Sequence, residues 1–337
     1  MNMSILEAVP ATVAPERRRL MGEAYDLSGA TDADSARALA GLEWEALHRP
    51  IYIDMPDDIG GGMSLAEKER YVIRSDNGDQ FGAVGREHKI LTNAEMFDFA
   101  DTLLAEADTT WAESQPFGGA LAGGKQPFLA LRLGEGVQVA GQDAVDCHVL
   151  LSNGHVGNTA FTVTATPLRL QCSNVVRAAI RTGKKGQALF SHTVQHSGDL
   201  ASKVREAQAA LSITSVYMRE FQGLADKMAA VDFGLTEFED FLTELLPISD
   251  EAGDRAKDTA ETQRAAFRHN WRTTTTLSDE LRGTAWGAIN VITEVIDHGN
   301  LDVRRSKVPA QERRMNSVHF GAGARMRDRA FHLLAGI

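Results

Sequence analysis

Cysteine is almost absent. The 337 residues hold two, Cys147 and Cys172, both in apolar, strand-like stretches. Two thiols cannot build a disulfide framework or a four-cysteine zinc site, so the expectation is buried free thiols in a reducing cytosol. Long hydrophobic runs are missing too. No stretch reaches the roughly eighteen apolar residues that a membrane span needs. Near the start, a short apolar run precedes Arg17-Arg18-Arg19, the reverse of the order in a secretion signal. The chain therefore reads as cytoplasmic, with no membrane partner.

The usual signatures of catalysis are also lacking. There is no Gly-x-Ser-x-Gly elbow. Gly119 precedes Gly124-Lys125 at the spacing of a phosphate loop, but Gln126 stands where the magnesium-binding hydroxyl belongs and Pro127 opens a strand instead of a helix. The glycine run Gly118–Gly124 reads instead as a tight connection where backbone approaches closely. His155 sits on an Asn153-Gly154-His155 turn with no acid beside it, and His192 and His196, four apart, lack a third ligand. Asp143 and Asp146 flank a strand start and read as exposed. The sequence thus predicts no catalytic residue, no metal ligand and no cofactor.

What is present is an ordinary globular composition, 43% hydrophobic and 24% charged, enough for a sizeable core. Asp32 to Leu47 has roughly helical apolar spacing, and Pro56 to Met63 reads as a loop. Two apolar runs around Asn77-Gly78 make a hairpin. Thr92 and Glu95 have capping-box spacing ahead of a helix over 94–106. Strands follow at 127–133, 145–151 and 160–165, then a helix from Asn174 to Arg181. From Asp199 onward the pattern is helical, with helices at 201–228, 235–246, 253–271 and 277–298. The fold class is α+β: a central antiparallel or mixed sheet in β-β-α-β-β-β-α order with a mainly helical C-terminal half. Three segments follow: 1–64, a leader with a short helix and loop; 65–200, the α+β core; 201–337, a helical region packing on it.

The net charge of −11 argues, taken whole, against a nucleic-acid binder. Its distribution argues otherwise. Arg169, Arg177, Arg181, Lys184, Lys185, Lys203 and Arg205 share a stretch whose single acid is Asp199. Arg177 and Arg181, four apart, would share a helix face, with Lys184 and Lys185 in the loop beyond. A second basic strip runs from Arg304 to Arg329, and the segment between, 226–261, is acidic. With Lys125, the first group forms the candidate phosphate-contacting set. Phe117 and Phe190 are the nearest candidates for base stacking, although core packing is the plainer reading of both.

Several segments resemble one family. The run Tyr71 to Phe97, the block Gly118–Gly124, Leu150-Leu151-Ser152-Asn153-Gly154-His155, Thr166 to Asn174, Thr284 to Asn290 and Phe320 to Ala324 are similar, in order, to the phage/plasmid-like family of unknown function 932. The resemblance implies an origin in phages, plasmids or prophages and no settled activity. Where the family pattern has His-Asp-Gly, this chain has His155-Val156-Gly157, which removes a His-Asp pair. The element order of the centre is also similar to that of single-strand annealing proteins, which form rings and hold DNA in a basic groove. The leading expectation is a non-enzymatic, oligomeric protein that binds single-stranded DNA in mobile-element recombination or replication. The alternative is a self-assembling structural protein with no nucleic-acid ligand. A third reading is an enzyme with a site near His155 and Asn153.

Overall fold

The computed structural model describes residues 19–21, 24–134, 136–156, 161–169, 174–175, 181–182, 187–188, 191–193, 200–299, 313, 317 and 321–336. The chain enters through β1 (Arg19–Met21) and β2 (Ala24–Asp26), then α1 (Ala33–Ala40). Asp32 caps α1, accepting from the Ser35 N–H, and Gly41 ends it in the left-handed region at φ 74°. The helix expected as far as Leu47 therefore stops early. Ala46 instead opens β3 (Ala46–Met55), which pairs with β4 (Gly62–Arg74) and through it with β5 (Gln80–Gly85). The Asn77-Gly78 turn joins β4 to β5 as the sequence predicts, with Gly78 at φ 75°.

α2 (Asn93–Glu106) begins at the expected capping box: Thr92 Oγ1 accepts from the Glu95 N–H and Glu95 accepts from the Thr92 N–H. The main sheet then builds from β6 (Phe117–Leu121), β7 (Gln126–Arg132), β8 (Val137–Val139), β9 (Asp143–Ser152) and β10 (Thr162–Arg169). Its order is β1-β2-β6-β7-β9-β10, every pair antiparallel, with β8 also on β9.

One expectation fails here. The segment read as a helix from Asn174 to Arg181 begins and ends in strands. Asn174–Val175 is β11, paired with the end of β10, and Arg181–Thr182 is β12, paired with β13 (Gln187–Ala188). β14 (Ser191–Thr193) pairs with the start of β10. The β-branched Val175 suits extended backbone, and pairing with β10 overrides the helical apolar spacing at that end.

The C-terminal half is helical: α3 (Leu200–Ala229), α4 (Leu235–Leu245), α5 (Asp254–Thr273), α6 (Asp279–Arg282), α7 (Ala285–His298) and α8 (Ala322–Ala335). The helix expected over 277–298 is two, divided where Thr284 caps α7 by accepting from the Gly287 N–H. The class is α+β, with the helices gathered in the C-terminal half. No described helix is long and apolar enough to cross a membrane.

Alternation along β7, β9 and β10 sends Leu129, Leu131, Val149, Leu151 and Val163 to one face. There they meet α1, α2 and, from the second sheet, Val72, Phe81 and Val84. Further along, Val145, Cys147 and Ala165 meet Tyr217 and Phe221 of α3 and Trp286 and Ile289 of α7. α3 joins the two regions, Ala207 and Ala210 serving the first and Tyr217 to Met228 the second. At about 1.5 Å per residue it spans the length of the sheet. Each large apolar side chain buried this way contributes about 1.5–3 kcal/mol.

Candidate functional site

Three segments that the sequence singled out meet at one place. Asn93 opens α2; Asn153 and His155 follow β9; the glycine run turns between β6 and β7. Asn93 Nδ2 donates to the Trp44 carbonyl at 2.6 Å, so its Oδ1 faces His155 Nε2 at 3.1 Å. That arrangement makes Nε2 the protonated nitrogen and leaves His155 Nδ1 a buried lone pair without a hydrogen bond. The ring stacks on Phe81 and meets Trp44 edge-on. Burial, reinforced by the charge of His88, pulls its pKa down to about 4. Asn153 Nδ2 donates to the Leu91 carbonyl at 2.9 Å, and the His155 N–H donates to the Lys125 carbonyl at 3.0 Å. His155 is only 1% exposed. Its ring packs against Trp44 and Phe81, the two rings that Gly124 also approaches.

Glu45 secures the same corner, a role that the sequence did not suggest. Its carboxylate accepts from the backbone N–H groups of Asn93 (2.9 Å) and Ala94 (3.3 Å), at the positive end of α2. It also meets Arg37 of α1 at 3.4 Å. Above lies a cleft of about 350 Å³, lined by Tyr25, Trp44, Arg74, Asp79, Gly123 and Gly124. The Arg74 guanidinium lies 4.4 Å from the centre of the Trp44 ring and is held from the side by both oxygens of Asp76. Its hydrogen bonds lower the pKa of Asp76. Gly124 is in the left-handed region, and a Cβ there would stand 3.1 Å from Trp44 Cζ2. The glycine turn thus allows close approach, and the segment after it is β7, not a phosphate-binding helix start. The cleft offers an aromatic wall and a cation.

The predicted phosphate contacts are only partly brought together. Lys125 is half-buried at the end of the sheet where Gln126 reaches Ser152. Arg169 is opposite Val145, seven residues along β9 from Ser152, or roughly 23 Å away. Arg205 is exposed in the first turns of α3, which pack on β14. Arg181 lies on β12 and Lys203 in α3. Arg177, Lys184 and Lys185 lie outside the described residues, as do Phe190, Cys172 and His196. With Arg181 on a strand, Arg177 and Arg181 share no helix face. Phe117 packs in the small cluster of Ala24, Leu121, Phe128, Ala130 and Leu150.

Of the second basic strip, Arg304, Arg305, Lys307 and Arg314 lie outside the described residues, and Arg325, Arg327 and Arg329 have separate surroundings. Arg327 is buried against Asp297 at 2.5 Å, while Arg329 donates to the Glu244 carbonyl and Arg325 faces solvent. Asp143, expected on the surface, is buried. The Cys147 thiol is buried as anticipated, and its pKa is pushed up to about 12, by burial first and then by Asp146.

Residues 80–319 match the model of a domain of unknown function, DUF932. The chain belongs to that family. The matched span holds Asn93, the glycine run, Asn153 and His155; Trp44, Arg74 and the β3–β4 arm precede it. No curated protein and no solved structure matches the chain.

Proposed function

We propose that this protein binds single-stranded DNA as an oligomer, in the replication or recombination of a phage or plasmid. The observation that supports the reading is the outer side of β10. β14 pairs with its first half and β11 with its second, so the segment 169–205 supplies that side of the strand. This segment carries seven Lys or Arg residues against Asp199 alone. A chain segment rich in cations suits a phosphate chain, whose affinity comes mainly from counterion release. The acidic remainder of the molecule keeps the binding confined to that strip.

Titration of a fluorescein-labelled 30-nucleotide single strand, at 50 to 300 mM KCl, tests it by anisotropy. Affinity should fall steeply and linearly in log salt. Lys203→Glu with Arg205→Glu should weaken binding at least tenfold without lowering the melting temperature. No binding at 50 mM KCl, or an unchanged affinity in the double variant, rejects the reading.

A second reading is a self-assembling interaction protein with no nucleic-acid ligand. Its specific support is a β-arm whose apolar side chains no described residue covers.

A further inference from the structure

β3 and β4 run on past the edge of β5, which pairs only with Glu69 to Ile73. Beyond that point they form a two-stranded arm, Tyr52 opposite Leu65 and Asp54 opposite Met63. Seven large hydrophobic side chains are exposed among the described residues, and five of them stand here: Tyr52, Ile53, Ile59, Met63 and Leu65, each 50–66% exposed. The remaining two, Val216 and Leu235, lie elsewhere. A lone two-stranded ribbon is marginal in water, and apolar side chains gathered on one exposed element mark a contact surface.

The charges of the arm indicate what covers it. Its tip carries Asp54, Asp57 and Asp58, and no Lys or Arg occurs from Ile51 to Glu67. None of these three carboxylates has an ion-pair partner among the described residues. The base, unlike the tip, carries arginines. At the pairing step from Pro50 to Tyr52 one residue of β3 faces four of β4. This bulge opens a cleft of about 540 Å³ lined by Arg49, Arg70, Arg86, Leu65, Glu67 and Glu69, among others. The three arginines are exposed and likewise lack a carboxylate partner among the described residues. An element with unpaired acids at one end and unpaired arginines at the other is complementary to itself when reversed.

We infer that two copies of the chain lay their β3–β4 arms antiparallel about a two-fold axis, the acidic apolar tip of each seated on the arginine-lined base of the other. Such a contact is isologous and closes as a dimer. It covers Tyr52, Met63 and Leu65, and it matches six carboxylates with six guanidiniums across the pair. The inference rests on the self-assembly in the proposed reading and not on its DNA.

Sedimentation velocity on the full chain tests it by charge exchange. Wild type should run at twice 36.6 kDa. Asp57→Arg with Asp58→Arg reverses the tip, and Arg49→Glu with Arg70→Glu reverses the base; each variant alone should be monomeric, its dissociation constant raised at least 100-fold. Mixed one to one, the two should regain the dimer, because each reversed tip then meets a reversed base. These residues are exposed, so unchanged circular dichroism and melting temperature verify the fold. Met63→Lys should dissociate the dimer independently. A monomeric wild type, an assembly indifferent to the reversals, or a mixture that stays monomeric overturns the inference. The labelled strand is titrated against the same variants. Restored pairing without DNA binding sinks only the nucleic-acid reading, and salt-sensitive binding by an assembly that ignores the arm sinks only this one.

Discussion

The indole N–H of Trp286 donates to Asp143 Oδ2 at 2.9 Å, with both side chains buried. Asp143 opens β9 and Trp286 stands in the first turn of α7, so one hydrogen bond pins the sheet to the helical half. Asp143→Ala leaves a buried donor without its acceptor and should cost about 1–3 kcal/mol. Trp286→Phe removes the same bond from the other side. A double-mutant cycle by urea unfolding should show the two losses to be coupled, the double variant losing less than the sum of the singles. Strict additivity would mean that the bond contributes nothing.

Stability should fall between neutral pH and pH 4. Burial holds the folded-state pKa of His155 and of His148 down to about 4. In the unfolded chain a histidine titrates near 6.5. Over the interval between, the unfolded state takes up protons that the folded state refuses. The stabilisation is whole above about pH 6.5 and drains away as pH drops toward 4. Displacement on this scale is worth about 3 kcal/mol per histidine. Urea midpoints from pH 7.5 to 4.5 should decline, and His155→Gln with His148→Gln should flatten that decline at some cost in stability at pH 7.5. An equal slope in the variant would count against the buried neutral rings.

Local chemistry was legible in the sequence where a few neighbouring residues decide the outcome. Thr92 and Glu95 form their capping box, and Asn77-Gly78 turns its hairpin, because both depend on contacts within four residues. Asp143 was not legible: an acid at a strand start reads as solvated, and only the distant Trp286 makes its burial acceptable. The strands at 174–175 and 181–182 lie under a helical spacing of apolar residues, which pairing with β10 overrides at the first and pairing with β13 at the second. The helix read through Trp44 and Ala46 ends instead at Gly41. For the arm there was a signal: the β-formers Ile51-Tyr52-Ile53 and Met63-Ser64-Leu65 flank Gly60-Gly61-Gly62, a hairpin pattern obscured by reading the stretch as loop alone. At the candidate site, the glycine run, Asn153 and His155 stand out in the sequence itself. Their union through Asn93 and Glu45 required the folded chain.

Two adjacent glycines separate the causes of strain in the turn beneath the cleft. Gly123 has φ 67°, and a Cβ added there would meet nothing within 4 Å, so Gly123→Ala should cost only the backbone strain, about 1 kcal/mol. Gly124 has φ 101° and would press its methyl on Trp44 and Phe81, at 3.1 and 3.2 Å. Gly124→Ala should cost about 2–4 kcal/mol, strain and overpacking together. It should also shift the Trp44 environment, read by near-ultraviolet circular dichroism. Equal losses at the two positions would show that the rings yield freely.

Arg327 and Asp297 form an ion pair 1% and 3% exposed, joining α8 to α7. Desolvation of both charges offsets much of their attraction, so the pair as a whole adds little, while either charge alone is expensive. Arg327→Met leaves the Asp297 carboxylate buried without its guanidinium and should cost about 3–5 kcal/mol. Asp297→Leu takes that carboxylate from the guanidinium and should cost a similar amount. The double variant, Arg327→Met with Asp297→Leu, restores an uncharged contact of similar volume and should recover most of the loss. Guanidinium chloride is unsuitable here because its ionic strength screens charge, so urea is the denaturant of choice. A double variant as unstable as the sum of the singles would mean that the pair's further hydrogen bonds, and not its charge balance, hold α8 in place.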